Sequence, residues 1–590
     1  MKNFLIYTLA TITGIILASL IFFFVMLGSL GAMISAGEKP VSITDNSILV
    51  LKAGVAIPDR TDPNPFAGID IMNMNFTPVA GLNDILRNLE KAANDSKIKG
   101  VLIENGLLPS GWATTEEIRN ALEKFRKTSG KFVIAWSDYV MEQEGYYLST
   151  VADKIYISPG SMVDFKGLSG DVMFYKNALE KLGIEVQVIR HGKFKGAVEP
   201  YILDKLSKEN EEQIRDYVGS IWDHVVGRIA DSRGLSKDDL NKLADRLAGY
   251  VPGSAFDGRL VDGLIYRDAL IDTLKLLSGL TTNDKIQLVQ MTKYTKVPDT
   301  KKQTISKNKI AVIYAAGTIV RGNGTDYNIG GTSYADLIRK ERLDSNIKAI
   351  VLRVNSPGGD AVSSDNIWRE LNLAAEVKPV VISMGNYAAS GGYYISAPGT
   401  KIYSNPTTIT GSIGVFGLLP NTGKFLERKI GITTQSVNTN AYSDFPSPFR
   451  AMSSYEKEIM QQDIEHIYST FTGKVALGRK MNVTSVDSIG QGRVWGGKKA
   501  IELGLVDEIG GLKDAINGAA ALANIDTWSV KELPAIEGPY SKLLKQLTGE
   551  IRMSVLKNEM GEYLKIYNDM MELKDIEGVQ ARLPYFIEIR

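Results

Sequence analysis

The sequence predicts an α/β fold in which one domain of parallel strands and crossover helices occurs twice, after an N-terminal transmembrane helix. Short apolar runs alternate with amphipathic stretches of helical length, which is typical of parallel sheets buried on both faces. The second half of the chain repeats the pattern of the first, and a long uncharged segment precedes both halves. With 590 residues, the chain is also too long for a single hydrophobic core.

The repeat is carried by two pairs of aligned segments. Residues 183–200 align without a gap with 431–448, and residues 144–159 align with 391–406. The period far exceeds the roughly 20–50 residues of a solenoid repeat, so it indicates a duplicated domain.

Each copy is expected to contain buried strands, a long polar helix and a closing motif. The predicted strands cover 47–51, 99–104 and 130–136 in the first copy, and 309–314, 348–354 and 378–384 in the second. The polar helices cover 205–233 and 453–479, and the closing motifs cover 255–270 and 494–515. The predicted domains are an anchor at 1–36, a first domain at 37–291, a linker at 292–308, a second domain at 309–533 and a tail at 534–590, helical over 541–573.

The N-terminal segment carries no charge from Asn3 to Gly37 and is mostly apolar. About 20 apolar residues span a bilayer, whereas the apolar region of a cleaved secretory signal has about 7–15. The length favours an uncleaved anchor, and cleavage near Ala36 is the alternative. Because Lys2 is the positive charge on the short side, that end is expected in the cytoplasm and the rest of the chain outside it, in the periplasm of a Gram-negative cell.

The composition excludes several classes of function. A net charge of +1 gives no electrostatic case for binding nucleic acid. The absence of cysteine excludes disulfides, zinc–thiolate sites and a cysteine nucleophile. Three histidines argue against a histidine-rich metal site. Neither a metal nor a cofactor is predicted.

Ser390 is the candidate nucleophile. It follows a predicted strand and opens a predicted helix, where its hydroxyl is exposed and the N–H of Gly391 points at the reacting atom. The alternative is that Ser390 only caps the helix. The motif Asn355-Ser-Pro-Gly-Gly359 favours catalysis, because paired glycines let the N–H of Gly359 approach a carbonyl at the end of a parallel strand. A plain turn is the alternative for that motif.

Lys195 is the candidate general base. A lysine with its ordinary pKa of about 10.4 is protonated at neutral pH, but burial lowers that pKa by disfavouring the charged form. The residues around Lys195, from Phe194 to Pro200, are consistent with a buried pocket. Lys193 and His191 lie nearby, and the residues alone do not decide between them and Lys195.

The two copies differ in a reciprocal way. Ser390 aligns with Gln143 of the first copy, and Lys195 aligns with Ser443 of the second. A nucleophile in one copy and a base in the other predict a single composite active site that uses lysine in place of histidine.

Together these segments resemble the long, duplicated form of signal peptide peptidase A, a family of bacterial membrane-bound serine–lysine peptidases with Clp/crotonase-like domains. The matching stretches are 192–200, 348–364, 380–397, 408–417 and 500–512.

The resemblance implies a role for each matching residue. Ser390 is the expected nucleophile, Lys195 the expected base, and Gly359 and Gly391 the expected oxyanion donors. Ser412, whose first-copy counterpart is Phe165, is expected to hydrogen-bond the lysine amine. The resemblance further implies signal peptides and other apolar peptides as substrates, a homotetramer, no cofactor, and a location in the bacterial inner membrane.

Two other functions are compatible with parts of the sequence. An acyl-CoA enzyme of the crotonase-like fold would use the same paired glycines, but Lys195 and the anchor argue against it. A catalytically inactive membrane scaffold would keep the fold, but it would not need Ser390, Lys195, Ser412 and both glycines.

Overall fold

Two parallel β-sheets, one in each copy, lie at the centre of the computed structural model. The structure describes residues 42–61, 69–70, 75–76, 79–106, 108–299, 306–535, 579–583 and 588–589, together with scattered positions between 6 and 25. The strands form where apolar residues run without interruption, because both faces of each central sheet are covered.

The sheet of the first copy is parallel throughout its ladder. Its strands, from edge to edge, are Gly263–Leu264, Lys154–Ile157, Phe132–Ser137, Ile98–Asn105, Ser47–Ala53 and Leu288–Gln290.

The sheet of the second copy repeats that order. Its corresponding strands are Glu508–Ile509, Lys401–Ser404, Val380–Ala389, Ile347–Ser356, Lys309–Ala316 and Ser529–Leu533. Ile409–Gly411 and Val494–Gly496 are added beside the C-terminal end of Val380–Ala389. The duplication predicted from the sequence is therefore present in the strand order as well.

A third sheet, here called the bridging sheet, joins the two copies and the C-terminal tail. Its strands, in spatial order, are Glu185–Arg190, Phe416–Asn421, Val579–Arg582, Gly358–Asp360, Thr318–Val320 and Asn328–Gly330. Glu185–Arg190 of the first copy pairs antiparallel with Phe416–Asn421 of the second. This pairing carries a first-copy loop into the second copy. Shorter strand pairs are Ile69–Asp70 with Asn75–Phe76, Val140–Met141 with Met162–Val163, and Gly170–Asp171 with Glu588–Ile589.

Helices cover the central sheets. In the first copy they are Leu82–Asn94, Trp112–Ser129, Gln143–Ser149, Lys176–Leu182, Glu199–Ile202, Lys208–Arg233, Lys237–Asp245, Pro252–Asp257, Arg267–Leu277 and Met291–Tyr294. In the second copy they are Gly331–Leu343, Ala361–Ala375, Gly391–Ser396, Gly423–Phe425, Ser454–Arg479, Val483–Ile489, Gly497–Glu502 and Leu512–Leu522.

A buried ionic cluster fastens the two copies together. Arg353, in the C-terminal half of strand Ile347–Ser356, is fully buried, and its Nη1 donates to Glu117 Oε1 at 2.7 Å. Its Nε donates to Asp59 Oδ1 at 2.9 Å. Both carboxylates belong to the first copy, whereas Arg353 lies two residues before Asn355 of the glycine motif. Asp59 and Glu117 of the first copy therefore fix the position of the strand that leads into the candidate site.

The described residues confirm the predicted duplication and the parallel α/β sheets. The long polar helices run over Lys208–Arg233 and Ser454–Arg479, close to the predicted bounds. Most of the predicted anchor at 1–36, residues 300–305 of the linker and the predicted tail helix at 541–573 lie outside the described residues. Within the described residues, no helix is long and apolar enough to cross a membrane. The anchor, the domain boundaries and the Clp/crotonase-like assignment stay predictions.

Candidate active site

Ser390 lies at the sharp turn between strand Val380–Ala389 and helix Gly391–Ser396. Its φ is +55°, a value that residues other than glycine adopt rarely and only where surrounding contacts hold them. One such contact is the Ser390 N–H, which donates to Gly411 O at 2.8 Å. A serine at a sharp strand-to-helix turn holds its Oγ out of the line of the strand.

Lys195 reaches this turn from the other copy. The loop that carries it follows strand Glu185–Arg190, which pairs with Phe416–Asn421 and so brings the loop onto the second copy. Lys195 Nζ lies 2.8 Å from Ser390 Oγ and 3.1 Å from Ser412 Oγ. The side chain is fully buried, and this burial lowers the pKa of the amine well below its ordinary value of 10.5.

Ser412 shares the lysine amine with Ser390. Its φ is +51°, and its N–H donates to Arg493 O at 2.7 Å, which fixes the turn in which it lies. Lys195 Nζ also lies 3.3 Å from the Ser412 carbonyl oxygen. Hydroxyl and carbonyl together hold the amine in one place beside Ser390.

Two glycines pack against Lys195, and neither was predicted from the sequence as part of the site. A Cβ on Gly492, whose φ is +83°, would lie 2.7 Å from the Lys195 Cα, and a Cβ on Gly414 would lie 3.3 Å from its Cδ. Larger residues would push the lysine away from Ser390. The signal was the glycine pair in Gly490-Gln-Gly492, but nothing in the sequence relates it to residues almost 300 positions earlier.

Gln213 holds the loop that carries Lys195 through hydrogen bonds, and this role was not predicted from the sequence. Gln213 Nε2 donates to Phe194 O at 3.0 Å, and its Oε1 accepts from the Val494 N–H at 3.0 Å. One amide thus links the loop of the first copy to a strand of the second. Glutamine on a polar helix carries no distinctive sequence pattern, so this role is visible only in the fold.

The glycine motif lies directly beside the turn that carries Ser390. Gly358 has a φ of +100°, and a Cβ there would lie 2.6 Å from the Gly391 N. The backbone of the Gly358–Asp360 strand therefore runs directly beside the turn that carries Ser390. The two candidate oxyanion donors, Gly359 and Gly391, lie on these two adjacent segments.

A strand from the C-terminal tail runs along the glycine motif. Val579–Arg582 pairs antiparallel with Gly358–Asp360, with Ala581 opposite Gly359. The Leu583 N–H donates to Pro357 O at 2.6 Å. Ser390 is fully buried in this arrangement. An extended peptide backbone therefore fits beside the candidate oxyanion glycines.

The other sequence candidates lie apart from Ser390. Lys193 is exposed, and its amine faces the ring of Phe194. His191 Nδ1 lies 2.7 Å from Glu465 Oε2, and its ring stacks on Tyr468 with 3.7 Å between centroids. The structure thus places Lys195 beside Ser390. It places neither Lys193 nor His191 there. Within the described part of the chain, no group of three His, Cys, Asp or Glu side chains could hold a metal ion.

Comparison with known proteins places the chain in a family. The model of peptidase family S49 matches residues 125–281 and 372–526, one stretch in each copy. Protease 4 of Haemophilus influenzae is 34% identical over 521 residues, covering 85% of this chain and 83% of that protein. The chloroplastic serine protease SPPA of Arabidopsis thaliana is 33% identical over 523 residues, covering 87% and 76%. A putative signal peptide peptidase SppA of Enterococcus faecium is 38% identical over 181 residues, covering 30% and 52%.

The chain belongs to peptidase family S49. It is a serine peptidase with a duplicated family domain, as the sequence predicted.

Proposed function

We propose that this peptidase is a membrane-anchored endopeptidase that degrades cleaved signal peptides with a Ser390–Lys195 dyad. The observation that carries the proposal is the distance of 2.8 Å between Lys195 Nζ and Ser390 Oγ, with the lysine fully buried. A lysine of lowered pKa is neutral at a pH where a surface lysine is charged, and only the neutral amine accepts a proton.

In the proposed reaction, the Lys195 amine removes the proton from Ser390 as Oγ attacks the peptide carbonyl carbon. The carbonyl oxygen becomes an oxyanion, held by the N–H groups of Gly359 and Gly391. The tetrahedral intermediate collapses, the C–N bond breaks, and the lysine ammonium protonates the leaving amine. Water then attacks the acyl-enzyme with Lys195 again as base, which releases the acid and restores Ser390.

Ser412 is the proposed positioning residue for the base. Its hydroxyl, 3.1 Å from Lys195 Nζ, keeps a lone pair of the amine directed at Ser390. No metal or cofactor takes part in the proposed reaction.

The proposed substrate lies as an extended strand along Gly358–Asp360, in the place that Val579–Arg582 takes in this structure. Main-chain pairing of this kind binds a peptide with little regard to its sequence. The substrate replaces residues 579–582 in this proposal.

The substrate class and the location rest on relatives and on the N-terminus. The name of the Enterococcus faecium relative supports signal peptides as substrates. The uncharged segment from Asn3 to Gly37 supports a single anchor in the inner membrane, with the catalytic domains in the periplasm. A homotetramer is the proposed assembly, on the resemblance described above.

A matched pair of lysine variants tests the dyad. In the full-length protein in detergent, Lys195→Ala should lower kcat/KM for an apolar fluorogenic peptide by about 10³-fold or more, whereas Lys193→Ala should leave it within about threefold. Undiminished activity in Lys195→Ala would refute the dyad.

The pH profile gives a second test. Because the base works only when neutral, kcat/KM should be high above the lowered pKa of Lys195 and fall as pH drops through it. An activity that rises only near the ordinary lysine pKa of 10.5 would contradict the proposal.

A further inference from the structure

A buried carboxylate closes the loop that carries Lys195. Glu199 is fully buried, lies four residues after Lys195 and begins the short helix Glu199–Ile202. None of the roles assigned above uses it. A carboxylate is costly to bury unless it is paired and hydrogen-bonded, so its partners show what it does for the loop.

Glu199 ties the strand before the loop to the helix after it. The strand ends at Arg190, and the N-cap of the helix is Ser207. Arg190 Nη1 lies 3.7 Å from Glu199 Oε1. Asn210 Nδ2, in the first turn of the helix, donates to the same oxygen at 2.6 Å, and the Ser207 N–H donates to Oε2 at 3.1 Å. Both carboxylate oxygens are therefore bound, and both ends of the loop meet at one side chain.

Arg190 also contacts the backbone of the proposed base. Its Nη1, the nitrogen beside Glu199, donates to Lys195 O at 3.4 Å. An arginine side chain has considerable rotational freedom, and a hydrogen-bonding carboxylate restricts it. Glu199 thus directs the guanidinium at the carbonyl of Lys195.

Two amides contact the residues on either side of the base. A Cβ on Gly196 would lie 2.6 Å from Asn210 Oδ1, so this amide packs directly against the backbone that follows the base. Gln213 Nε2 donates both to Asn210 Oδ1 and to Phe194 O, which precedes the base. The base and both its neighbours are thus contacted by groups that bind Glu199 directly or through one amide.

The carboxylate sets which way these amides face. It can only accept hydrogen bonds, so Asn210 directs its NH2 group at Glu199 and its Oδ1 at Gln213. Gln213 in turn directs its NH2 group at Phe194 O and its oxygen at the Val494 N–H. A neutral amide in place of Glu199 would bring two donors together and break this order.

The aligned loop of the second copy has neither group. In residues 431–448, Ser443 stands at the position of Lys195 and Ser447 at the position of Glu199. Most of that loop is exposed. The buried carboxylate and the proposed base therefore occur together, on the same loop.

We propose that Glu199 is a positioning residue, which holds the loop of Lys195 where the amine can accept the proton of Ser390. It acts through the backbone of the loop rather than by contact with the reacting atoms. The inference rests on the proposed function, because Lys195 is the base only there. A displacement of about 1 Å at a reacting group can cost about 100-fold in rate, so the role should be measurable in kcat.

Glu199→Gln tests the role in the full-length protein in detergent. The variant keeps the shape, but its single oxygen cannot serve both Asn210 Nδ2 and the Ser207 N–H. For an apolar fluorogenic peptide, kcat should fall about 30-fold. KM should stay within about twofold, because the proposed substrate strand lies along Gly358–Asp360, on another segment of the chain.

The pH profile of the same variant separates positioning from folding. A displaced Lys195 amine is less buried, which raises its pKa, so the acid limb of kcat/KM should move to higher pH. A smaller folded fraction lowers kcat without moving that limb. An acid limb at the wild-type pH would therefore overturn the inference.

A second substitution should rescue the first. Asn210→Asp alone places two carboxylates side by side and should also lower kcat about 30-fold. In the double variant Glu199→Gln with Asn210→Asp, the new amide donates to the new carboxylate, which still accepts from Gln213. We expect its kcat within about threefold of the wild type. Should a single variant fail to fold, the kcat of the double variant decides, and a folded double variant with low kcat would overturn the inference.

Glu116→Gln is the matched control. Glu116 is also a buried carboxylate and also accepts from an asparagine amide, Asn120 Nδ2, at 3.3 Å, but it lies on helix Trp112–Ser129. Its kcat should stay within about threefold of the wild type and its acid limb should not move. The same loss and the same shift in this control would overturn the inference.

Lys195→Ala distinguishes this inference from the proposed function. If Lys195→Ala keeps its activity, the proposed function fails, whatever Glu199→Gln does. If Lys195→Ala is inactive while Glu199→Gln keeps the kcat of the wild type, only the positioning role fails.

Discussion

The two copies place different residues on the same backbone frame. In the second copy, the strand-to-helix turn carries Ser390 at a φ of +55°, followed by a glycine, with the neighbouring glycine strand close beside it. In the first copy, the corresponding turn carries Gln143 and Glu144, and Gln143 begins an ordinary helix. Of the two corresponding turns, the strained one is thus in the copy that has the candidate nucleophile.

At the position that corresponds to Ser390 and Gly391, side chains of the first copy accept hydrogen bonds from the neighbouring N–H groups. The Glu144 carboxyl group accepts from Thr115 Oγ1 and from the N–H groups of Ser110 and Gly111, in the segment that corresponds to the glycine motif. Phe165, the counterpart of Ser412, packs against the Tyr146 ring at 5.5 Å. The comparison teaches that the same fold accommodates, at this turn, either a candidate nucleophile or side chains that accept hydrogen bonds from the neighbouring N–H groups.

The largest contrast is expected between the two residues at the turn. Ser390→Ala should lower kcat for peptide hydrolysis by about 10⁴-fold or more, because no hydroxyl remains to attack. Gln143→Ala should keep kcat within about threefold and lower the free energy of unfolding by about 1–3 kcal/mol, since it leaves two N–H groups of the next loop unpaired. Kinetics and urea denaturation would check both; a large loss of kcat in Gln143→Ala would break the comparison.

The next contrast concerns Arg353 and its counterpart Glu104. Arg353→Met should lower the free energy of unfolding by about 3–5 kcal/mol, because Asp59 and Glu117 would remain as buried charges without a cation. Glu104 pairs with Arg267, which is 54% exposed, so Glu104→Met should cost less than about 1 kcal/mol. Equal losses in urea denaturation would show that the Arg353 cluster does not hold the copies together.

The pH dependence of stability should reveal Glu144. Burial raises the pKa of Glu144 from 4.5 to about 8, so the folded state holds a proton that the unfolded state releases above pH 4.5. The contribution of Glu144 to the free energy of unfolding is therefore most favourable below about pH 4.5 and falls as pH rises towards 8. Between pH 5 and pH 8 the free energy of unfolding should fall by about 3 kcal/mol.

Glu144→Gln is the matching variant, because it keeps the shape and removes the titration. Its free energy of unfolding should change by about 3 kcal/mol less than that of the wild type between pH 5 and pH 8. Parallel curves for the two proteins would mean that Glu144 titrates normally.

The smallest contrast is expected at Ser412 and Phe165. Ser412→Ala should lower kcat/KM by about 10–100-fold, because Lys195 loses one of the groups that orient its amine. KM should change little, and the acid limb of the pH profile should shift, as expected for a residue that acts through the base. Phe165→Leu should affect stability alone, by about 1–1.5 kcal/mol. A Ser412→Ala enzyme with an unchanged pH profile would contradict the positioning role.

The sequence predicted the central sheets because their strands are uninterrupted apolar runs. It did not predict the bridging sheet. Strand Glu185–Arg190 alternates between buried and half-buried residues, and Val579–Arg582 follows a long tail, so their pairing depends on contacts far apart along the chain.

The candidate site was predicted in part for the same reason. Ser390 and the glycine motif follow apolar strands and are visible locally. The residues alone left Lys193 and Lys195 open, because burial decides between them and burial is a property of the folded protein. Gly414, Gly492 and Gln213 act on Lys195 from distant positions and give no local signal.

The pairing of Glu185–Arg190 with Phe416–Asn421 also sets an order of events during synthesis. Lys195 and Ser390 are 195 residues apart, and the strand that joins their copies ends only at Asn421. At about 5–20 residues per second, the ribosome needs roughly 10–40 s to progress from the lysine to the serine. During that interval the Lys195 loop has neither Ser390 nor the second-copy residues that bury its amine, such as Gly414 and Gly492. The proposed dyad therefore forms only once both copies have emerged and docked.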